Sequence, residues 1–154
     1  MKKAIFAGLF SVLFLVSVAA AVKPAGPSAY HGLTHPGKAS QLYLYEKDPV
    51  TWEIVEDGAW GKMTFDGDSF VFNGHGLDAN VEYTLIRYTD SWPGYPVVCL
   101  ANGETNKGGN IHMSGVMLEG GPKIWLVLSS DVDCNTQKMT GWNPSKYLFE
   151  YNVI

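Results

Sequence analysis

The stretch MTFDGDSFVF, residues 63–72, places an Asp-Gly turn between two flanks rich in aromatic residues. An Asp-Gly pair supplies the positive φ that a tight hairpin needs, so the stretch predicts a β-hairpin turning between Phe65 and Phe70. The same pattern continues outward. Short runs rich in aromatic and β-branched residues predict strands at 41–46, 52–55, 61–65, 69–73, 82–88, 97–101, 110–118, 123–128 and 147–152. Between them stand DG, DGD, NGHG, PG, NG, KGG, EGG and NP, combinations that fix turns. No window carries an amphipathic helical period, and the chain has no internal repeat. Many short strands at close intervals predict an all-β domain, a single antiparallel β-sandwich, over 41–154.

The N-terminus reads differently. Lys2 and Lys3 form a basic start, residues 4–18 are apolar, and Ala19-Ala20-Ala21 offers small residues for cleavage. This is the layout of a secretory signal peptide over 1–21, too short and too soon interrupted for a good transmembrane span. A retained anchor helix is the alternative. No cysteine follows the apolar run, so a lipid anchor is not expected. Residues 22–40, VKPAGPSAYHGLTHPGKAS, hold three prolines, three glycines and no periodicity, and read as an irregular linker or arm.

Removal of the first 21 residues leaves nine basic against fifteen acidic side chains, with no Lys/Arg cluster. Such a surface repels phosphate backbones, so no nucleic-acid partner is expected. A mature chain of about 130 residues forms one domain with a real core. Its two cysteines, Cys99 and Cys134, predict a disulfide in an oxidising compartment. Neither has a neighbouring histidine and no C-x-x-C is present, so redox catalysis has no support.

One local pattern is specific. In NGHGLDANVEYTLIRY, residues 73–88, Leu77 precedes Tyr83 by six positions and Leu85 follows at strand period. This resembles the segment of fibronectin type III and immunoglobulin-like sandwiches in which a tyrosine hydroxyl reaches back to upstream backbone, the tyrosine corner. The resemblance implies that Tyr83 takes that role and Leu77 caps the core. It departs where those domains carry Pro-Gly, since DAN stands there, and it brings no function with it. The stretches DPVTWEIVEDGAWGKM, EYTLIRYTDSWPGYPVVCL, KIWLVLSSDVDC and MTGWNPSKYLFEYNVI resemble a set of secreted prokaryotic β-domain proteins of uncharacterised role. That likeness implies an exported β-domain and supplies no catalytic residue.

Candidate working residues sit in two turns. In WPGYP, residues 92–96, two prolines keep the chain out of a ladder and stiffen the turn that carries Trp92 and Tyr95. GWNP, residues 141–144, carries Trp142 in the same way. A loop tryptophan joins a flat apolar face to a polar N–H, which suits a sugar ring or a protein hot spot. Trp92, Tyr95 and Trp142 are therefore the candidates for ligand or partner binding. The alternative is that Trp92 folds back as a lid, which its large apolar area favours. Trp125, inside KIWLVL, reads as core.

Asp66 with Asp68, and Asp131 with Asp133, are calcium candidates, because alternate oxygen ligands in a turn can share a hard ion. Asx-type turns explain the same residues. His31 and His35 would suit a metal on a helix, but Gly32 and Pro36 argue against one, and His75 and His112 stand alone. No metal or cofactor is expected. No nucleophile elbow, zinc-protease helix, phosphate loop or thiol-protease signature is present, and no catalytic residue is assigned.

The expected protein is a secreted, non-catalytic β-sandwich module for extracellular binding, adhesion or assembly. Its partner is an extracellular protein or polysaccharide, without stable membrane insertion after signal cleavage, and homo-oligomers are compatible with this. The alternatives are a carbohydrate-binding module using loop aromatics and a small secreted hydrolase.

Overall fold

The computed structural model describes residues 40–150, which carry ten strands. They are β1 (Ser40–Tyr45), β2 (Trp60–Asp66), β3 (Ser69–His75), β4 (Glu82–Tyr88), β5 (Val98–Glu104), β6 (Ile111–Val116), β7 (Lys123–Leu128), β8 (Val132–Asp133), β9 (Lys138–Met139) and β10 (Leu148–Glu150). The expected signal peptide, and the arm up to residue 39 with His31 and His35, lie outside the described residues. Ser40 already opens β1.

The hairpin over 63–72 forms as its turn residues dictate. Met63 faces Phe72 and Phe65 faces Phe70 in the β2–β3 register. All four rings and chains are buried, while Asp66, Gly67, Asp68 and Ser69 stay in water. Gly67 has a φ of 58°, the left-handed value that the turn demands of it.

Eight strands join in one antiparallel ladder, in the order β5-β4-β7-β10-β1-β2-β3-β6. The ladder curls until its two edge strands lie side by side. A Cβ on Gly115 of β6 would stand 3.0 Å from the Leu100 carbonyl oxygen on β5. The two-sheet sandwich expected from the sequence is thus replaced by a single sheet, nearly closed into a barrel. Both architectures offer the same inward-facing alternation, and closure of one sheet removes the exposed edges that a sandwich leaves.

Inside the barrel lies the main core, with Leu42, Leu44, Met63, Phe72, Leu85 and Leu126 all at 1% exposure or less. A second core lies outside it. Ile86 and Tyr88 on β4, Trp125 and Val127 on β7, and Phe149 on β10 point outward. They are covered by Val97, Val132 and Met139, which the loop before β5 and the small β8–β9 hairpin bring over them. The strands β4, β7 and β10 are therefore buried on both faces, which is why KIWLVL is apolar without alternation.

The sequence missed the short β8–β9 hairpin and misplaced one strand. Residues 52–55 form no strand: only Ile54 makes an isolated bridge, to Lys47. Asp48 explains this, because its carboxylate accepts the N–H groups of Val50 and Thr51, each at 2.8 Å, and folds the chain into a turn.

Tyr83 is buried at 1% exposure beside Leu77, in the inner core. Burial above all, and then the Asp78 charge, raise the phenol above its ordinary pKa, against a smaller opposing pull from the Asp78 backbone five residues upstream. Leu77 and Tyr83 thus pack together inside a barrel. With the hydroxyl bonded to upstream backbone, as the tyrosine-corner resemblance implies, Tyr83→Phe should lower the unfolding free energy by about 1–3 kcal/mol. A denaturation midpoint equal to the wild type would show that the hydroxyl carries no weight.

Candidate functional site

The outer face of the sheet carries a row of aromatic side chains in register. Trp125 faces Phe149, Phe149 faces Tyr45, Tyr45 faces Trp60, and Trp60 faces His75. Alternation along each strand puts them all on the side away from the barrel interior. Tyr88 extends the row, stacked on Trp125 with centroids 3.8 Å apart and planes 18° from parallel. At the β4–β7–β10 end of this face, three loops each add one tryptophan.

Trp52 comes from the turn that Asp48 caps. Its N–H bonds the Asp48 carbonyl at 2.8 Å, and its φ of 62° turns the ring back onto Phe149, edge to face at 5.3 Å. Trp92 comes from the loop between β4 and β5. The Gly94 N–H closes that turn on the Ser91 carbonyl at 2.7 Å. Gly94 has a φ of 77°, and a Cβ there would lie 2.0 Å from the Tyr88 ring, so only glycine fits. The loop is sewn to the β8–β9 hairpin by Met139 N–H to the Pro93 carbonyl, 2.9 Å, and Val97 N–H to the Gln137 carbonyl, 2.7 Å.

Trp142 is held by Asp131. This carboxylate is buried at 6% exposure in the 3₁₀ turn Ser129–Asp131. It accepts the Tyr147 hydroxyl and, at 2.8 Å, the Asn143 side-chain amide. Its carbonyl takes the N–H groups of Thr140 and Gly141, at 2.8 and 3.2 Å. Burial first, then the bond to Asp131, pushes the Tyr147 phenol far above its ordinary range, so it stays a donor. A buried, fully partnered carboxylate fixes the turn on both sides of Trp142.

The result is a groove of about 520 Å³ lined by Trp52, Tyr88, Asp90, Trp92, Lys123, Trp125 and Trp142. Trp142 is its hub, with ring centroids 5.8 Å from Trp92, 6.0 Å from Trp125 and 6.3 Å from Trp52. Trp92, Trp52 and Trp142 stay 51%, 48% and 42% exposed, whereas Trp125 and Tyr88 form a buried wall. At the rim, Lys123 Nζ lies 2.6 Å from Asp90 Oδ2 and 5.8 Å from the Trp125 ring centroid.

Of the three aromatic candidates, the structure brings Trp92 and Trp142 together and leaves Tyr95 out. Tyr95 is 67% exposed and lines no part of the groove. Trp92 is not the lid that its area favoured, since half of it faces water. Trp125, read as core, is also a wall of the groove. Trp52 was missed, and no local signal could have found it, because its ring meets Phe149 across 97 residues of chain. Lys123 and Tyr88 were within reach: strand alternation alone puts Lys123 beside Trp125.

Cys99 and Cys134 are joined, with Cα atoms 5.8 Å apart. The aspartate pairs serve as turns. Asp131 is spent on Tyr147 and Asn143, and Asp133 accepts the N–H groups of Asn135 and Thr136, at 2.9 and 3.2 Å, in an Asx turn. Asp66 and Asp68 stay exposed at the β2–β3 turn. His75 Nδ1 lies 2.9 Å from Asn110 Oδ1, and His112 Nδ1 lies 2.8 Å from Asn73 Oδ1, each apart from the other. Among the described residues, no three His, Cys, Asp or Glu side chains are grouped to hold a metal. Comparison with family models, curated proteins and solved structures finds no match.

Proposed function

We propose that the mature chain is an exported, non-catalytic β-domain that acts as an extracellular binding module through the tryptophan groove. Export rests on the leader-like residues 1–21, and the joined cysteines, typical of oxidising compartments, support it. One observation carries the binding role: three tryptophans from three separate loops converge, half in water, on one buried aromatic wall. Leaving that much apolar face uncovered forgoes burial worth about 25 cal/mol per Å², which a ligand recovers on docking. Pro93, Pro96 and the Asp131 bonds pre-order the rings, so little entropy is lost when a partner arrives.

The hydrolase alternative has less to stand on. Glycosidases work with two carboxylates. The groove offers one, Asp90, already bound to Lys123.

The test is Trp92→Ala, with a thermal melt beside an assay of attachment to the surface of the producing cells. A half-exposed ring predicts a stability loss of about 1–2 kcal/mol, with attachment abolished. Undiminished attachment, or a loss of about 3 kcal/mol or more, would make the aromatics architecture.

A further inference from the structure

We infer that the groove clasps one or two pyranose units of an uncharged, soluble glycan, an assignment that rests on the groove being the working surface. The ring geometry is the first argument. Trp92 and Trp142 meet at 76°, Trp125 and Trp142 at 52°, and Trp52 and Trp142 at 40°. Rings so inclined cannot lie together on the flat face of a crystalline polysaccharide. They form the floor and walls of a cleft. Its volume of about 520 Å³ falls within the range of small-ligand sites.

The polar rim is the second argument. A pyranose has an apolar face of C–H bonds, which suits an indole, and a belt of hydroxyls. Each hydroxyl both donates and accepts. Asp90 only accepts and Lys123 only donates, and the two stand 2.6 Å apart. Adjacent hydroxyls satisfy both groups at once.

The charges of this pair cancel, and that sets the class of ligand. A cation entering the cleft meets Lys123, whose ammonium already lies over Trp125. An anion meets Asp90. A proline-rich peptide would stack on the rings, but its backbone offers only carbonyl acceptors, which bring Asp90 no donor beyond Lys123. An uncharged, hydroxyl-rich ring is the partner that leaves neither group unmatched.

The experiment titrates the intact secreted protein with soluble hexamers of glucose, mannose, galactose and N-acetylglucosamine, α- and β-linked. Tryptophan fluorescence and calorimetry are the readouts. Polygalacturonate, chitosan, crystalline cellulose and a proline decamer run alongside. Expected is saturable binding of at least one uncharged hexamer, changing less than about twofold between low and high salt because no ion pair forms. Trp92→Ala and Asp90→Asn should each weaken it by about tenfold or more. Asp90 is an exposed rim residue, so Asp90→Asn should keep the wild-type melting curve and separates lost binding from lost folding. Binding of the charged polymers, cellulose or the proline peptide alone, or of nothing in the set, overturns the glycan assignment. In that event, cell-surface attachment that Trp92→Ala still abolishes leaves the groove as the working surface; attachment that Trp92→Ala spares removes both readings.

Discussion

Replacing Cys99 and Cys134 together by alanine should lower the unfolding free energy by about 4 kcal/mol, the value that the chain-entropy model gives for a loop of this length. The bond spans 35 residues, from the start of β5 to the residue after β8. Its importance exceeds the loop it closes. The β8–β9 hairpin has two residues in each strand and cannot hold itself in water. Val132 and Met139 of that hairpin cover Ile86 and Val127, and its backbone holds the Trp92 loop through Pro93 and Val97. Losing the bond should loosen the outer core first and splay the groove. Denaturant unfolding of the double variant measures the first effect, and tryptophan fluorescence of the native state the second. The native wild type should weigh two hydrogens less than its thiol form under non-reducing conditions. Two alkylatable thiols in native material would overturn the prediction.

Stability should also fall by about 3 kcal/mol as pH rises from about 4.5 through 7, because of one carboxyl group. Glu150, on β10, is 5% exposed, and its Oε2 has no hydrogen-bond partner among the described residues. Burial pushes its pKa up to about 7. The charges of Lys47 and Lys123 pull it down and do not prevail. Lys47 spends its own bond on the Glu150 carbonyl, 3.0 Å away. A carboxyl that titrates higher in the folded than in the unfolded chain favours folding below the unfolded value, and that contribution is lost as pH climbs through the folded one. Glu150→Gln keeps a neutral side chain at every pH and should flatten the slope. Urea titrations across this range, on wild type and variant, check it. Equal slopes in the two proteins would assign the pH dependence elsewhere.

Local chemistry was legible in the residues, while long-range pairing was not. The Asp-Gly turn at 66–67 fixed nearby geometry and is found in place, while Leu77 and Tyr83 meet in the inner core. The same strand list, however, serves a sandwich or a barrel. The choice lies in strand order, and no turn sequence states that β10 slots between β7 and β1. For the groove, Trp92 and Trp142 stood out because prolines beside them announce loops. Trp125 was hidden by its surroundings, since both faces of β7 are apolar and only one of them closes over completely. Trp52 sat in a β-like run that Asp48 diverts. Tyr95 shares its turn with Trp92, but Gly94 stands between them, and the chain reverses there to face Trp92 toward the groove and Tyr95 away.

The slot that β10 fills has a consequence for how the chain is made. Without residues 148–150, the ladder divides into two separate sheets, β5–β4–β7 and β1–β2–β3–β6, with no strand pairing between them. The first seven strands, through residue 128, all precede the piece that unites them. Read from the N-terminus, the two groups of strands gain a pairing partner in common only when the chain reaches residues 148–150. Closure of the ladder therefore waits on residues 148–150, which pair with β7 on one side and β1 on the other.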